Sequence, residues 1–159
     1  MSRITARRHA FNMIYQIPFH PEIDGEGYAR LKASYYDFLD EMGLEEYGLI
    51  GFRRPKGKDT VYIDSVVWGV FDKQSWLDRV IENFLQDWTI DRISKIDLAI
   101  LRLSIYEMLR QADVPSAVSV NEAVELAKAY GHDDSPSFVN GVLSGVVKEI
   151  KNRGGDGFG

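Results

Sequence analysis

One short stretch of the chain brings together side chains that are used in catalysis. Residues 132–135 read His-Asp-Asp-Ser and so contain every residue type of a serine hydrolase triad. Consecutive side chains leave the backbone in different directions, so these four cannot form the line from nucleophile to base to orienting acid. The stretch therefore predicts an exposed polar corner, and we expect that the chain is not an enzyme.

The residues that usually hold metals or cofactors have no suitable spacing. The three histidines, His9, His20 and His132, lack a second histidine or carboxylate that would place two ligands on one helix face. The absence of cysteine excludes disulfides, thiolate metal sites and cysteine nucleophiles. No glycine-rich phosphate loop follows a strand, because no strand pattern is present. We expect no cofactor and no bound metal.

Positive charge is concentrated near the N-terminus, although the net charge of the chain is −5. Arg3, Arg7 and Arg8 lie in a stretch without acids, and arginines at the start of a helix oppose its dipole. They form either a solvated basic face or a binding surface. Residues 22–46 are rich in acids, and a second basic run follows over 53–58. A local basic surface can therefore coexist with a negative total.

The elements that must position these residues are helices. Ser119 and Glu122 match a capping box, which predicts that a helix starts there. Gly131 is predicted to end that helix as a left-handed stop. Ser135 as N-cap and Pro136 at the first helical position predict the start of the next helix. The pattern is typical of a helical hairpin with the polar corner at its break.

Apolar residues at helical spacing predict further helices, over residues 3–17, 28–42, 60–71, 75–85 and 96–109. The segment 96–109 is apolar nearly all round and is predicted to be a central strut surrounded by other helices. The tryptophans at 68, 76 and 88 are predicted to pack in the core or between helices. The fold class is therefore all-α, with about seven helices and a disordered tail over 152–159.

Length and composition indicate one globular domain. A chain of 159 residues with 45% apolar and 27% charged residues can bury a sizeable core. No apolar run approaches the roughly 20 residues that span a bilayer. The N-terminus has neither the apolar core nor the cleavage site of a signal peptide. We expect a cytoplasmic protein that contacts no membrane.

Three segments resemble the NusB family of bacterial transcription antitermination factors. The first is the arginine-rich first helix, which ends in Met-Ile-Tyr-Gln. The second is the segment 95–107, and the third and most specific combines residues 120–128 with Ser135 and residues 138–143. Residues 18–59 match nothing in the family pattern, and their basic run over 53–58 is a departure from it.

The resemblance implies two antiparallel three-helix bundles joined by a long helix, which we place at residues 1–88 and 89–151 of a single domain. It also implies that the chain binds the boxA element of nascent single-stranded RNA together with a small-subunit ribosomal protein. That complex would join the RNA polymerase elongation complex through other factors and suppress termination during ribosomal RNA synthesis. Some members of the family pair into homodimers that cover the RNA surface, and the sequence leaves that state open.

Single-stranded RNA is held by cations on its phosphates and by aromatic faces against its bases. The expected RNA-binding residues, which match the family's RNA-contacting regions, are Arg3, Arg7, Arg8, Tyr130, His132, Asp134 and Ser135. His132 departs from the small residue expected there. Tyr130 is alternatively a core aromatic that closes the apolar stripe, and Asp134 is alternatively a charge that complements a helix N-terminus.

The middle helices are the platform on which the family is expected to hold its protein partner. The candidates, provided that they lie outward, are Tyr62, Val66, Trp68 and Trp76. An alternative function is an RNA-independent helical adaptor that holds a protein through residues 22–46 or the middle helices. A third is the NusB-like domain of an RNA cytosine methyltransferase, which the lack of cysteine and of an α/β pattern disfavours.

Overall fold

The computed structural model describes residues 1–16, 24–41 and 54–154. Within these ranges the chain forms seven α-helices, a short 3-10 helix at Ile90–Arg92 and no strand. The α-helices are α1 (Arg3–Tyr15), α2 (Gly25–Glu41), α3 (Lys58–Asp72), α4 (Gln74–Glu82), α5 (Lys95–Arg110), α6 (Ser116–Tyr130) and α7 (Ser135–Asn152). The predicted all-α class is confirmed. Predictions for residues 17–23, 42–53 and 155–159, which include the ends of the first two helices, Arg53 and most of the tail, lie outside the described residues.

Side-chain caps explain where two of the helices begin. The hydroxyl of Ser2 accepts a hydrogen bond from the Thr5 backbone N–H at 3.2 Å and so caps α1. The Asp24 carboxylate accepts from the Gly27 backbone N–H at 2.8 Å. Because of this cap, α2 begins at Gly25 rather than at the predicted residue 28. Apolar spacing locates the buried face of a helix more reliably than its ends.

The chain divides into two compact units, Met1–Phe71 and Asp72–Gly159. The first unit contains α1, α2 and nearly all of α3, and the second unit contains α4 to α7. The two bundles were expected to divide after residue 88, which would assign α4 to the first bundle. In the structure α4 packs against α5 within the second unit.

Polar side-chain contacts join the helices of the first unit. His9 of α1 lies with its Nδ1 atom 2.8 Å from the hydroxyl of Tyr35 on α2. The Tyr28 hydroxyl of α2 donates to the Asp64 carboxylate of α3 at 2.8 Å. Burial, together with Asp64, raises the pKa of Tyr28 well above its ordinary value, so the phenol stays protonated and can donate.

Helix α5 is the centre of the second unit, as predicted for the strut. It is buried over most of its length, and the side chains of Ile100, Leu101, Leu103 and Ile105 are fully inaccessible. Both α6 and α7 pack against α5 and against each other. Burial of this apolar helix on several sides supplies the hydrophobic free energy that holds the unit together.

The predicted capping box at Ser119 is wrong. Helix α6 begins at Ser116, after Pro115, so Ser119 lies inside the helix. Its side chain is buried, and its hydroxyl donates to the Glu107 carboxylate of α5 at 2.8 Å. The serine therefore joins two helices instead of starting one.

Replacing Ser119 by alanine is expected to lower the free energy of unfolding by about 1–3 kcal/mol, because a buried carboxylate loses a donor. Urea denaturation followed by circular dichroism measures the change. The matched control is Ser144→Ala at an exposed position of α7, where we expect a change within about 0.5 kcal/mol. Equal effects of the two substitutions would contradict the assigned role of Ser119.

Candidate nucleic-acid interface

The corner, residues 130–135, is a tight turn between the end of α6 and the start of α7. The Ser135 hydroxyl accepts a hydrogen bond from the His132 backbone N–H at 2.9 Å. In return, the Ser135 backbone N–H donates to the His132 carbonyl at 3.0 Å. These reciprocal bonds fix the backbone of the turn, and the side chains of His132, Asp133 and Asp134 are exposed on it. The Tyr130 side chain is 38% exposed, so it does not close the core as the alternative interpretation required.

Gly131 ends α6, but not in the left-handed conformation that was predicted. Its φ of −90° and ψ of −170° are extended backbone that other residues adopt. The lack of a side chain matters for a different reason. A Cβ atom here would lie 2.6 Å from the Ser135 Cβ and 2.8 Å from the Ala127 carbonyl oxygen. Glycine therefore lets α7 approach the end of α6 closely enough for the reciprocal bonds.

Ser135 is the first residue of α7 and not its N-cap, which corrects the prediction. Asp134 holds the cap position without a side-chain capping bond, so its exposed carboxylate is not used in capping α7. Pro136 is the second helical residue rather than the first as predicted, and it still lies in the first turn. Ser135 is completely buried, so it shapes the corner from beneath and presents no side-chain atom to a ligand.

The three N-terminal arginines, which are equivalent candidates in the sequence, differ in their exposure to solvent. Arg3 is exposed, and its guanidinium carbon lies 4.2 Å from the centre of the Tyr62 ring. Arg8 is half-buried, whereas only 4% of Arg7 is exposed. Arg7 is thus buried, which does not fit its expected role as a phosphate ligand. Arg3 and Arg8 keep access to solvent.

The second basic run has a structural role at one of its described residues. The Arg54 guanidinium donates to the Asp40 carboxylate at 2.8 Å and lies 5.2 Å from the centre of the Tyr36 ring. These contacts connect Arg54, ahead of α3, to α2. Lys56 and Lys58 are exposed.

The candidate partner-binding residues divide between the interior and the surface. Tyr62 and Val66 are buried in α3, so they do not meet the condition of lying outward and are not available to a partner. Trp68 is 38% exposed, with its ring 5.6 Å from that of Tyr28. Trp76 is half-buried, and the Arg110 guanidinium lies 5.5 Å from its ring.

The prediction that the tryptophans pack in the core or between helices holds in part, because the ring of Trp68 lies beside Tyr28 of α2 although the residue is partly exposed. Trp68 and Trp88 are exposed, Trp88 by 59%. Residue 68 lies about 200° around α3 from residue 66, at 3.6 residues per turn, and so faces the opposite side of the helix. Trp88 lies in the connection between α4 and α5, where helical spacing gives no information.

Two further properties of the described ranges bear on function. None of their helices combines the length and the apolar character needed to cross a bilayer. Residues 1–16, 24–41 and 54–154 also contain no group of three or more potential metal-ligating side chains.

The comparisons with known proteins agree over almost the whole chain. The NusB family model matches residues 4–148. The chain belongs to the NusB family. The transcription antitermination protein NusB of Acetivibrio thermocellus is 42% identical over 157 residues, which cover 99% of this chain and 95% of the relative. The NusB of Bacillus pumilus is 48% identical over 153 residues, which cover 96% of this chain and the whole of the relative.

Solved structures of the NusB family share the fold. T. maritima NusB matches with a TM-score of 0.74 at 30% identity, over 94% of this chain and 92% of that one. NusB in a complex of the antitermination factors NusB and NusE with double-stranded RNA matches with a TM-score of 0.69. At 24% identity, over 92% of this chain and 96% of that one, this second likeness shows the fold alone. The predicted family and fold class are confirmed, and the family is one of non-enzymatic antitermination factors, as expected for this chain.

Proposed function

We propose that this chain is an RNA-binding transcription antitermination factor. It binds single-stranded boxA-type RNA with a small-subunit ribosomal protein, joins the elongating polymerase through other factors and suppresses termination during ribosomal RNA transcription. Family membership over nearly the full length supports the general role. The observation that carries the RNA site is the corner. Its backbone is fixed by Ser135 and Gly131, and the exposed side chains of Tyr130, His132 and Asp134 can each contact a base.

The corner supplies discrimination between bases. The exposed ring of Tyr130 offers a face on which a base can stack. The Asp134 carboxylate accepts hydrogen bonds from amino or imino groups, and His132 can donate or accept. A carboxylate repels phosphate, so Asp134 contributes to the choice of sequence rather than to affinity. The fixed backbone of the turn limits the entropy that these side chains lose on binding.

The first unit supplies affinity through its surface arginines. Arg3 and Arg8 contact phosphates, whose neutralisation releases counterions and makes binding salt-dependent. Arg3 is exposed, and its guanidinium carbon lies 4.2 Å from the centre of the Tyr62 ring, a contact that restricts where its charge meets the RNA. Arg7 is buried and is not assigned to the RNA.

The outward face of α3 is proposed to hold the ribosomal protein. Val61 is 69% exposed, and Trp68, seven residues later, lies on the same side of the helix. Large exposed apolar side chains at such spacing are typical of a surface that another protein covers. Trp76 in the second unit stays a candidate for the same partner.

A titration of labelled RNA tests the proposed function. Fluorescence anisotropy is measured with a short boxA-like RNA and a scrambled RNA, with and without the ribosomal protein, at several salt concentrations. We expect a preference for the boxA-like sequence, tighter binding with the partner and a log–log salt slope of roughly −0.7 per neutralised phosphate. Equal affinity for the two RNAs would contradict the proposal.

Replacing Arg8 by alanine is expected to reduce the magnitude of that salt slope by about 0.7, and the double variant Arg3→Ala, Arg8→Ala by about 1.4. The loss should be similar for both RNAs, because phosphate contacts carry no sequence information. The control is Arg30→Ala, which removes an exposed arginine of α2 and should leave the slope unchanged. An unchanged slope in the double variant, with helicity intact, would remove these arginines from the site.

The alternative, an RNA-independent adaptor, is favoured by one observation, the exposed apolar pair of α3. It predicts that the ribosomal protein binds equally well with or without RNA. It also predicts that Trp68→Ala weakens binding of the ribosomal protein. Asp134→Ala should change neither the binding of the ribosomal protein nor that of RNA. Analytical ultracentrifugation of the chain alone shows whether it forms a homodimer, a state that both functions leave open.

A further inference from the structure

The second unit contains a cavity of about 330 Å³ between the connection from α4 to α5 and the first half of α7. Three aromatic side chains line it, Phe84, Trp88 and Phe138. Gln86, Asp87 and Ser137 add polar groups to the same lining. A cavity of this size lies at the lower end of the range of about 300–1,000 Å³ that small ligands occupy.

Two glycines of α7, one helical turn apart, shape this cavity. A Cβ atom at Gly145 would lie 2.8 Å from Cδ1 of Phe84, so the missing side chain lets the Phe84 ring lie against α7. A Cβ atom at Gly141 would meet nothing within 4 Å. Since Gly141 also lines the cavity, its missing side chain leaves part of the cavity open.

The cavity lies near the corner within the second unit. The Phe138 backbone N–H donates to the Asp134 carbonyl at 3.0 Å, which places Phe138 one helical turn after Asp134. Residues four apart lie on the same side of a helix. The aromatic lining therefore begins four residues, about 6 Å of helix rise, beyond Asp134 of the corner.

We infer that this cavity receives one unstacked base of the RNA strand that the corner contacts, with the base lying against Trp88. This inference rests on the proposed function and adds a base-binding pocket to it. Trp88, 59% exposed, presents a face on which a base can stack. The Asp87 carboxylate can accept hydrogen bonds from an amino or imino group at the edge of that base. Gln86 and Ser137 add exposed hydrogen-bonding groups beside the aromatic rings, a combination that matches the polar edge and flat face of a base better than an apolar side chain.

Filling the pocket is the direct test. Gly141→Leu adds a side chain where there is open space, and it replaces a glycine within a helix, so the variant is expected to fold. With the ribosomal protein present, we expect it to bind the boxA-like RNA about 10-fold more weakly than the unaltered chain, as for the loss of one stacked base. The salt slope should not change, because no phosphate contact is lost. Ser144→Leu places the same side chain at an exposed position of α7 outside the lining and should bind like the unaltered chain.

A fluorescent base locates the contact. 2-Aminopurine is placed at each position of the RNA in turn, and one position should be quenched on binding, because the base stacks on Trp88. The quenching should be lost in Trp88→Ala and kept in Trp88→Phe. If the unaltered chain binds the RNA but Gly141→Leu binds equally well and no position is quenched through Trp88, the pocket is not a base site. If Gly141→Leu instead loses the ribosomal protein and keeps its affinity for RNA alone, the cavity serves the protein and the inference is overturned. Absence of RNA binding by the unaltered chain would overturn the proposed function itself.

Discussion

Replacing Asp78 by alanine is expected to lower the free energy of unfolding by about 3 kcal/mol. Asp78 of α4 accepts two hydrogen bonds of 2.8 Å from the guanidinium of Arg102 on α5. The Arg102 side chain is only 5% exposed, so the substitution leaves a buried charge without this carboxylate. A quarter of the Asp78 side chain is exposed, which lets water reach the vacated site and places the effect at the low end for such pairs. Urea denaturation provides the measurement.

Asp40→Ala is the matched control, since Asp40 also pairs with an arginine at 2.8 Å, in this case Arg54. Both of these side chains are about half exposed, and exposed pairs contribute less than about 1 kcal/mol. The residue removed and the distance to the arginine are the same in both variants, so the comparison sets a buried pair with two hydrogen bonds against an exposed pair. A loss at Asp78 no larger than the loss at Asp40 would contradict the importance of the buried pair.

Replacing Gly131 by alanine is expected to lower the free energy of unfolding by about 1–3 kcal/mol, the usual effect of forcing an atom into a packed site. The added Cβ would collide with the Ser135 Cβ and with the backbone oxygen of Ala127, neither of which can turn away. The corner must open to accommodate it, which displaces Tyr130 and Asp134 relative to each other. We therefore also expect the preference for boxA-like over scrambled RNA to fall by at least about 5-fold.

Gly141→Ala is the control, because the same atom is added to a helix where it meets nothing within 4 Å. Alanine there should raise the free energy of unfolding by about 0.5–1 kcal/mol. The two glycine substitutions are thus expected to change the free energy of unfolding in opposite directions. Anisotropy titrations at a temperature where both variants are folded measure RNA binding separately from stability. If both substitutions change the free energy of unfolding in the same direction, contact with Ser135 does not explain why residue 131 is a glycine.

The sequence predicts the helices well because each buries a continuous apolar face, and the period of that face is a local property. The starts of helices depend on single residues, and Ser119 shows how a local motif can mislead. It stands three residues before a glutamate, as in a capping box, yet its partner is Glu107, twelve residues earlier and on another helix. No pattern within one helix reports such a contact.

The position of the candidate site was predicted from the sequence, but the exposure of its side chains was not. The corner follows from the break between two periodic segments, so its position could be read directly from the chain. The burial of Arg7 and Ser135 and the exposure of Trp88 depend on how the helices pack, which residue type alone does not reveal. The cavity was missed because its lining combines an irregular connection with one face of α7, more than 45 residues later. The two glycines of α7 were the available signal, since glycine is disfavoured inside helices.

The buried polar pairs of α5 have a consequence for the uniqueness of the fold. An apolar helix gains almost the same burial at any rotation about its axis, so hydrophobic free energy alone does not select one orientation. Arg102 meets Asp78 of α4, and Glu107 meets Ser119 of α6, at directions about 140° apart around α5. Only one rotation satisfies both pairs, and every other rotation buries a charge without its partner. Apolar burial thus draws α5 into the interior, whereas these two pairs select its angular orientation.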